Sequence, residues 1–191
     1  MKISFLPLLI SLLLGLTASS HAASKPPVTT IYLVRHAEKD PTAGADDPAL
    51  TPAGEARARL LAKRLARRHP AALFTTDTRR ARATLAPLAQ AVGLVPQSYN
   101  AQAPDALAVH IYQDYAGKTV VVVGHSNTLL PLLKALGVQT ALTEIKDAEY
   151  DYLFKVELRP NEPARLSMSH YGAAPVPTPP AAVGRPMGQT H

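Results

Sequence analysis

The sequence predicts an α/β fold, a three-layer α/β/α sandwich built on a mostly parallel central sheet. Two observations carry that reading. Residues 30–34 (TIYLV) and 119–123 (TVVVV) are short, continuous runs of β-branched and aromatic residues, the pattern of central strands buried on both faces. Between and after them the apolar positions recur at helical spacing, and strands alternating with helices call for a parallel sheet covered on both sides.

The elements follow in order. Lys2 precedes an apolar run over residues 3–16, interrupted by Pro7, and small residues then lead to Ser20-His21-Ala22-Ala23. This is the layout of a secretory signal over residues 1–23, cut after Ala22 or Ala23. The run is too short to be a good bilayer span, so stable membrane insertion after cleavage is not expected, and an extracytoplasmic location, periplasmic or secreted, is. Residues 24–28 form a short polar lead. A single domain is expected over residues 29–171, long enough to bury a real core.

Within it, residues 52–68 are predicted to be helical, with Thr51 as N-cap, Pro52 in the first turn and His69-Pro70 as the stop. A short strand is expected at 73–75, helices at 79–91, 105–115 and 129–136, and a later strand at 152–158. Residues 172–191 are rich in Pro, Ala and Gly without apolar periodicity, which predicts a disordered tail.

The formal charge is +6, or +5 once Lys2 leaves with the signal, and nine of the 20 Lys and Arg residues fall between Arg57 and Arg82. With no Trp and no basic-aromatic interleaving, that stretch is no base-stacking surface, and nucleic acid is not an expected partner. Most of Arg57, Arg59, Lys63, Arg64, Arg67 and Arg68 are instead expected on the wet face of a helix. The absence of Cys rules out disulfides, thiolate ligands and a thiol nucleophile. The seven histidines include no HExxH or similarly spaced pair, so a zinc site is not expected.

The chemistry gathers at strand ends. Arg35-His36 follows the first central run and Gly124-His125 the second. In an open parallel sheet, ligands bind beyond the carboxyl ends of the strands, where helix N-termini present free N–H groups. Arg80 is expected in the first turn of its helix, on the same rim. Metal-free phosphoryl transfer needs a nucleophile that forms a labile bond to phosphorus and several cationic donors around the non-bridging oxygens. Two imidazoles and two guanidiniums converging on one anion suit a phosphate dianion.

The segment Tyr32-Leu33-Val34-Arg35-His36-Ala37-Glu38-Lys39 resembles the opening motif of the histidine phosphatase, or phosphoglycerate-mutase-like, superfamily. Leu50-Thr51-Pro52-Ala53-Gly54 resembles its next motif, Phe74 through Thr84 its block of two hydroxyl residues, an Arg-Ala pair and a Thr, and Val121 through Ser126 its second-histidine strand. Four blocks in order are a specific signal; Arg-His by itself is not, since Arg68-His69 repeats it at a helix end.

The resemblance implies that His36 is the nucleophile, that Arg35, Arg80 and His125 bind phosphate, and that a phosphohistidine forms and is hydrolysed. It also implies a phosphorylated small-molecule substrate and neither metal nor organic cofactor. Ala37, Asp77 and Ala83 stand where Gly, Pro and Gln are usual, and Ser126 follows the second histidine where the acid phosphatase branch has Asp.

A departing alkoxide calls for a proton donor. Asp105 leads because it lies between Arg80 and His125, the interval in which the resemblance places the mutase-like branch's acidic donor, although the local match is poor and an N-cap after Pro104 explains it equally. Glu38, Asp147 and Glu149 are the alternatives. Without an acid, good leaving groups would be the substrates. Asn127 is either a pocket residue or a cap, Arg79 and Arg82 are expected at the surface, and Tyr150 and Tyr152 are expected to open a half-buried strand outside the site. A mutase, a phosphohistidine-type phosphatase and a catalytically silent anion-binding envelope protein remain the rival readings.

Overall fold

The structure is a computed structural model that describes residues 26–40 and 46–174. The expected signal at 1–23 and the tail beyond residue 174 lie outside the described residues. In chain order the elements are β1 (Thr29–Arg35), α1 (Pro52–Leu65), β2 (Ala72–Thr75), α2 (Arg79–Val92), β3 (Gln97–Ser98), α3 (Pro104–Asp114), β4 (Thr119–Gly124), α4 (Ser126–Ala135), β5 (Tyr152–Leu158) and β6 (Arg165–His170). No helix among the described residues is long and apolar enough to cross a membrane.

The six strands form one sheet in the order β3-β2-β4-β1-β5-β6. The first four run parallel, β5 lies antiparallel to β1, and β6 antiparallel to β5. Alternation along β1 and β4 sends side chains to two separate cores. Ile31, Leu33, Val120 and Val122 meet Leu107 and Ile111 of α3 and Leu129, Leu132 and Leu133 of α4. Tyr32, Val34, Val121 and Val123 face the other way, onto Leu61 and Leu65 of α1 and Leu85 and Leu88 of α2. Both faces of the central strands are therefore dry, as their uninterrupted apolar runs require, and the three-layer expectation holds.

The segment after β1 is braced by α1. Thr51 caps the helix by accepting from Gly54 N–H at 3.1 Å, and its own N–H donates to the Glu38 carbonyl at 2.9 Å. Gly54 packs so closely on the Glu38 backbone that a Cβ there would lie 2.4 Å from the carbonyl oxygen. The Leu-Thr-Pro-Ala-Gly stretch is thus a platform for the turn that follows His36.

Arg57 departs from the wet face expected for its neighbours: it is buried. Its guanidinium donates to the Glu38 carboxylate at 2.8–3.0 Å, to the Tyr171 carbonyl at 2.5 Å and to the Ala173 carbonyl at 2.8 Å. A buried charge persists only where it is paired and hydrogen-bonded, and here the partners come from distant parts of the chain.

Other differences have local causes. Helix α4 starts at Ser126 rather than Leu129, because its first turn is polar and shows no apolar period; Thr128 Oγ1 accepts from His125 N–H at 2.9 Å there. Strands β3 and β6 are additions to the expected elements. Both lie at sheet edges with largely exposed residues, so neither carries an apolar run. Pro104 opens α3, which puts Asp105 inside the first turn rather than at the N-cap.

Gly54→Ala gains about 1 kcal/mol of helix propensity but forces a Cβ into backbone at a cost of about 1–3 kcal/mol. Net destabilisation is expected, read as a lower denaturant midpoint at unchanged m-value. A raised midpoint would show that the Glu38 turn yields freely.

Candidate active site

The register of β1 on β4 pairs Arg35 with Gly124, and His36 N–H donates to the Gly124 carbonyl at 2.9 Å. One residue further on, His36 and His125 leave adjacent strand ends together, with ring centroids 5.2 Å apart. Strand β2 stands on the other side of β4, pairing Thr75 with Val123, so Thr76 leaves its strand end beside the histidines.

These ends open onto a cavity of about 500 Å³. Arg35, His36, Arg80 and His125 all line it, joined by Lys39, Thr76 and Asp147 among others. Arg80 reaches it from the first turn of α2, where Thr78 caps the helix by accepting from Ala81 N–H. The four residues singled out for phosphate chemistry are therefore brought together.

His36 and Arg35 are each only 3% exposed. His36 Nδ1 lies 2.8 Å from the Ala37 carbonyl, which can only accept, so Nδ1 carries the proton and Nε2 keeps its lone pair. Burial drags the imidazole down to about 3; the Ala37 hydrogen bond opposes it, and the charges of Arg35 and Arg80 lower it further. His125 is lowered to about 4, by burial first and then by Arg80 and Arg35. Its Nε2 sits 2.7 Å from Thr76 Oγ1. Two neutral imidazoles thus stand in a strongly positive field, the electrostatic setting of an anion site.

Each arginine is held with donors to spare. Arg35 Nη1 donates to the carbonyls of Lys146, Asp147 and Glu149 at 2.8, 3.0 and 3.2 Å, and the guanidinium lies 4.2 Å over the Tyr150 ring. Arg80 Nη1 is 3.1 Å from Asp47 Oδ1. The Nε groups of both arginines are buried with no hydrogen-bond partner among the described residues. Such orphaned donors are costly unless a ligand satisfies them.

Residues beyond those singled out from the sequence contribute as well. Thr84 Oγ1 accepts from Ala37 N–H at 2.9 Å and donates to the Arg80 carbonyl at 2.8 Å, tying the turn after His36 to the helix that carries Arg80. Tyr150, expected at the start of a strand outside the site, instead packs on Arg35, and its ring centroid is 5.9 Å from that of His36. Nothing in its local sequence distinguishes it from Tyr152, which stacks on Phe154 in β5. Thr76 is visible in the sequence as one of two hydroxyl residues before α2, without a sign that it meets His125.

Of the candidate acids, only Asp147 lines the cavity, 3.5 Å from Arg35 Nη2. Asp105 is exposed on the first turn of α3 and does not line it. Glu38 is bound to Arg57, and Glu149 accepts from Lys146 N–H at 2.8 Å. Asn127 lines the cavity within the first turn of α4, whereas Arg79 and Arg82 do not. Among the described residues no group of three His, Asp or Glu side chains is arranged to hold a metal ion.

Residues 31–103 match the histidine phosphatase superfamily, branch 1. The matched segment contains Arg35, His36 and Arg80 and stops short of His125. No curated protein matches the chain in sequence.

Solved structures share the fold. A mycobacterial glucosyl-3-phosphoglycerate phosphatase superposes with a TM-score of 0.62 at 17% identity, over 77% of this chain and 100% of that one. The protein histidine phosphatase SixA in complex with tungstate gives 0.59 at 16% identity, over 74% and 96%. The putative phosphohistidine phosphatase SixA of Agrobacterium tumefaciens gives 0.56 at 24% identity, over 76% and 99%. At these identities the likeness establishes the phosphoglycerate-mutase-like fold.

The depressed histidines set a direction for stability. Both bind protons in the unfolded chain below about 6.5 but resist doing so when folded, down to about 3 for His36 and about 4 for His125. Their contribution is complete above a pH of about 6.5 and is lost as the pH falls from there toward the folded-state values. The expected result is a denaturation midpoint that declines through this window, with a shallower decline in His36→Gln. An equal slope in that variant would show that His36 does not carry the effect.

Proposed function

We propose that the chain is an exported histidine phosphatase, hydrolysing phosphate monoesters or related phosphoryl compounds through a phosphohistidine on His36, without metal or organic cofactor. The observation that carries this reading is the state of His36: buried, neutral, its Nδ1 proton held by the Ala37 carbonyl and its Nε2 lone pair free beside Arg35 and Arg80. A binding site for an anion needs cations; it has no use for a bare, oriented nucleophile among them.

In the proposed reaction the phosphoryl oxygens lie among Arg35, Arg80 and His125, where the buried Nε donors of the two arginines find acceptors. His36 Nε2 forms a bond to phosphorus as the bond to the leaving group breaks, and the electron pair departs with the leaving group. Water then attacks the phosphohistidine, releasing inorganic phosphate and restoring the neutral imidazole. Guanidiniums already fixed in place stabilise the charge that spreads over the three oxygens with little reorganisation.

Further support comes from the neighbouring structures, since the mycobacterial phosphatase was solved with inorganic phosphate and SixA with tungstate. Both are tetrahedral oxyanions of the kind this cavity suits. The extracytoplasmic setting rests on the signal-like sequence of residues 1–23. Export would also separate the protein from the phosphorylated intermediates a mutase requires, so hydrolysis is the preferred outcome.

The test is phosphate release from an aryl phosphate by the purified mature protein in EDTA. Activity is expected to survive the chelator and to vanish in His36→Ala, with the fold intact by circular dichroism. Arg80→Ala is expected to lower kcat by about 10²–10³-fold, the usual effect of removing one donor to a developing oxyanion. Full activity in His36→Ala would refute the mechanism. An inactive wild-type protein that still binds phosphate, and hydrolyses neither anhydrides nor phosphoramidates, would indicate a silent binding protein.

A further inference from the structure

Every Asp and Glu in the chain lies at a described position, so all side-chain carboxylic proton donors can be placed. Two line the cavity, Asp77 and Asp147. Asp77 is bound to Arg82. Asp147 is fully exposed on the rim and faces Arg35 Nη2. Just beyond the lining, Asp47 is held twice, by Arg80 Nη1 at 3.1 Å and by Arg79 N–H at 2.7 Å, while Glu38 is locked onto Arg57.

Each of these carboxylates near the reacting centre therefore faces a guanidinium. A general acid needs the opposite surroundings, an apolar wall or a neighbouring anion that keeps the carboxyl protonated. The other proton-bearing groups on the lining do not replace it. His125 is neutral in the free site, and burial pushes the Tyr99 phenol up to about 12. Lys39, exposed on the lining, brings a positive charge.

We infer that this site accepts phosphoryl groups carried on leaving groups of low basicity, such as phosphoanhydrides and acyl, enol or aryl phosphates, and discriminates against alkyl phosphate esters. The inference rests on the phosphohistidine reading above. In the first step the His36 Nε2–P bond forms and the P–O bond breaks, the oxygen leaving as a stable anion that needs no proton from the protein. An alkoxide has no such stability and would have to be expelled unprotonated. The cationic rim, with Lys39 beside Arg35 and Arg80, eases departure of an anion but supplies the selectivity only together with the missing acid.

The experiment compares kcat/KM, which reports the steps through the first P–O cleavage, for ring-substituted aryl phosphates of graded phenol acidity and for a simple alkyl phosphate. Wild-type protein is run beside His36→Ala. The expected result is a steep fall with rising leaving-group basicity, the alkyl ester at least about 10²-fold below the most activated aryl ester, the scale of help that a general acid ordinarily provides. An alkyl ester cleaved within about tenfold of the activated aryl ester, well inside that scale, in a His36-dependent reaction, overturns this inference and leaves the phosphohistidine reading standing.

No cleavage of any ester, or cleavage that persists in His36→Ala, overturns both. Asp147→Asn and Asp77→Asn separate the roles of the rim carboxylates. A loss shared evenly across the series supports the inference, since it reflects altered placement of Arg35 or of the rim. A loss confined to the basic leaving groups would expose a working acid and overturn it.

Discussion

The site depends on one pairing, the parallel register that sets Arg35 of β1 beside Gly124 of β4. Parallel strands end at the same edge of a sheet, so a residue just past the end of each is presented in the same direction. His36 and His125, 89 positions apart by subtraction of their numbers, become near neighbours for that reason. The His36 N–H to Gly124 carbonyl bond carries the ladder one step beyond the strands and fixes the height at which His36 stands. A Cβ on Gly124 would come within 2.8–3.1 Å of Tyr99 Oη, Thr128 Oγ1 and Leu129 Cδ2, so the small residue before the second histidine also keeps the neighbouring walls in place.

Around that pairing the structure assembles positive charge, with Arg35 and His36 both buried. Arg35 is anchored by three carbonyls of the segment before β5 and stacked on Tyr150, leaving other donors of its fork available. Arg80 is presented by a capped helix start, and Thr84 joins the turn after His36 to that helix. The positions of His36 and of the cations are therefore coupled through hydrogen bonds of ordinary length. The arginine charges add to burial in lowering both histidines, so the same field that attracts an anion also keeps His36 unprotonated.

Much of this is legible in the sequence because the decisive residues are local to strong patterns. The apolar runs ending at Val34 and Val123 announce central strands, and residues at the ends of such strands are placed by the fold class alone. Arg80 lies just inside a helix start, and the resemblance to the family's motif singles it out from Arg79. The edge strands β3 and β6 are not legible, since their exposed, largely polar residues are kept in strand form by pairing with a neighbour and by no pattern of their own. Asp105 shows the limit of reasoning by sequence interval: it lies between Arg80 and His125 in the chain, but the first turn of α3 holds it exposed and off the cavity lining.

The sequence by itself determined the alternation of strands and helices, the two buried faces of the central sheet, and the placing of His36 and His125 at its carboxyl edge. These follow from side-chain periodicity and from the geometry common to parallel sheets. Only the tertiary structure decided which charges would meet. Arg57 went to Glu38 and to carbonyls near the end of the domain, Arg35 to carbonyls 111–114 residues away, and Asp47 to Arg80. Those choices belong to segments far apart in the chain and are made when burial requires every charge to find a partner, a requirement that local sequence states but cannot resolve.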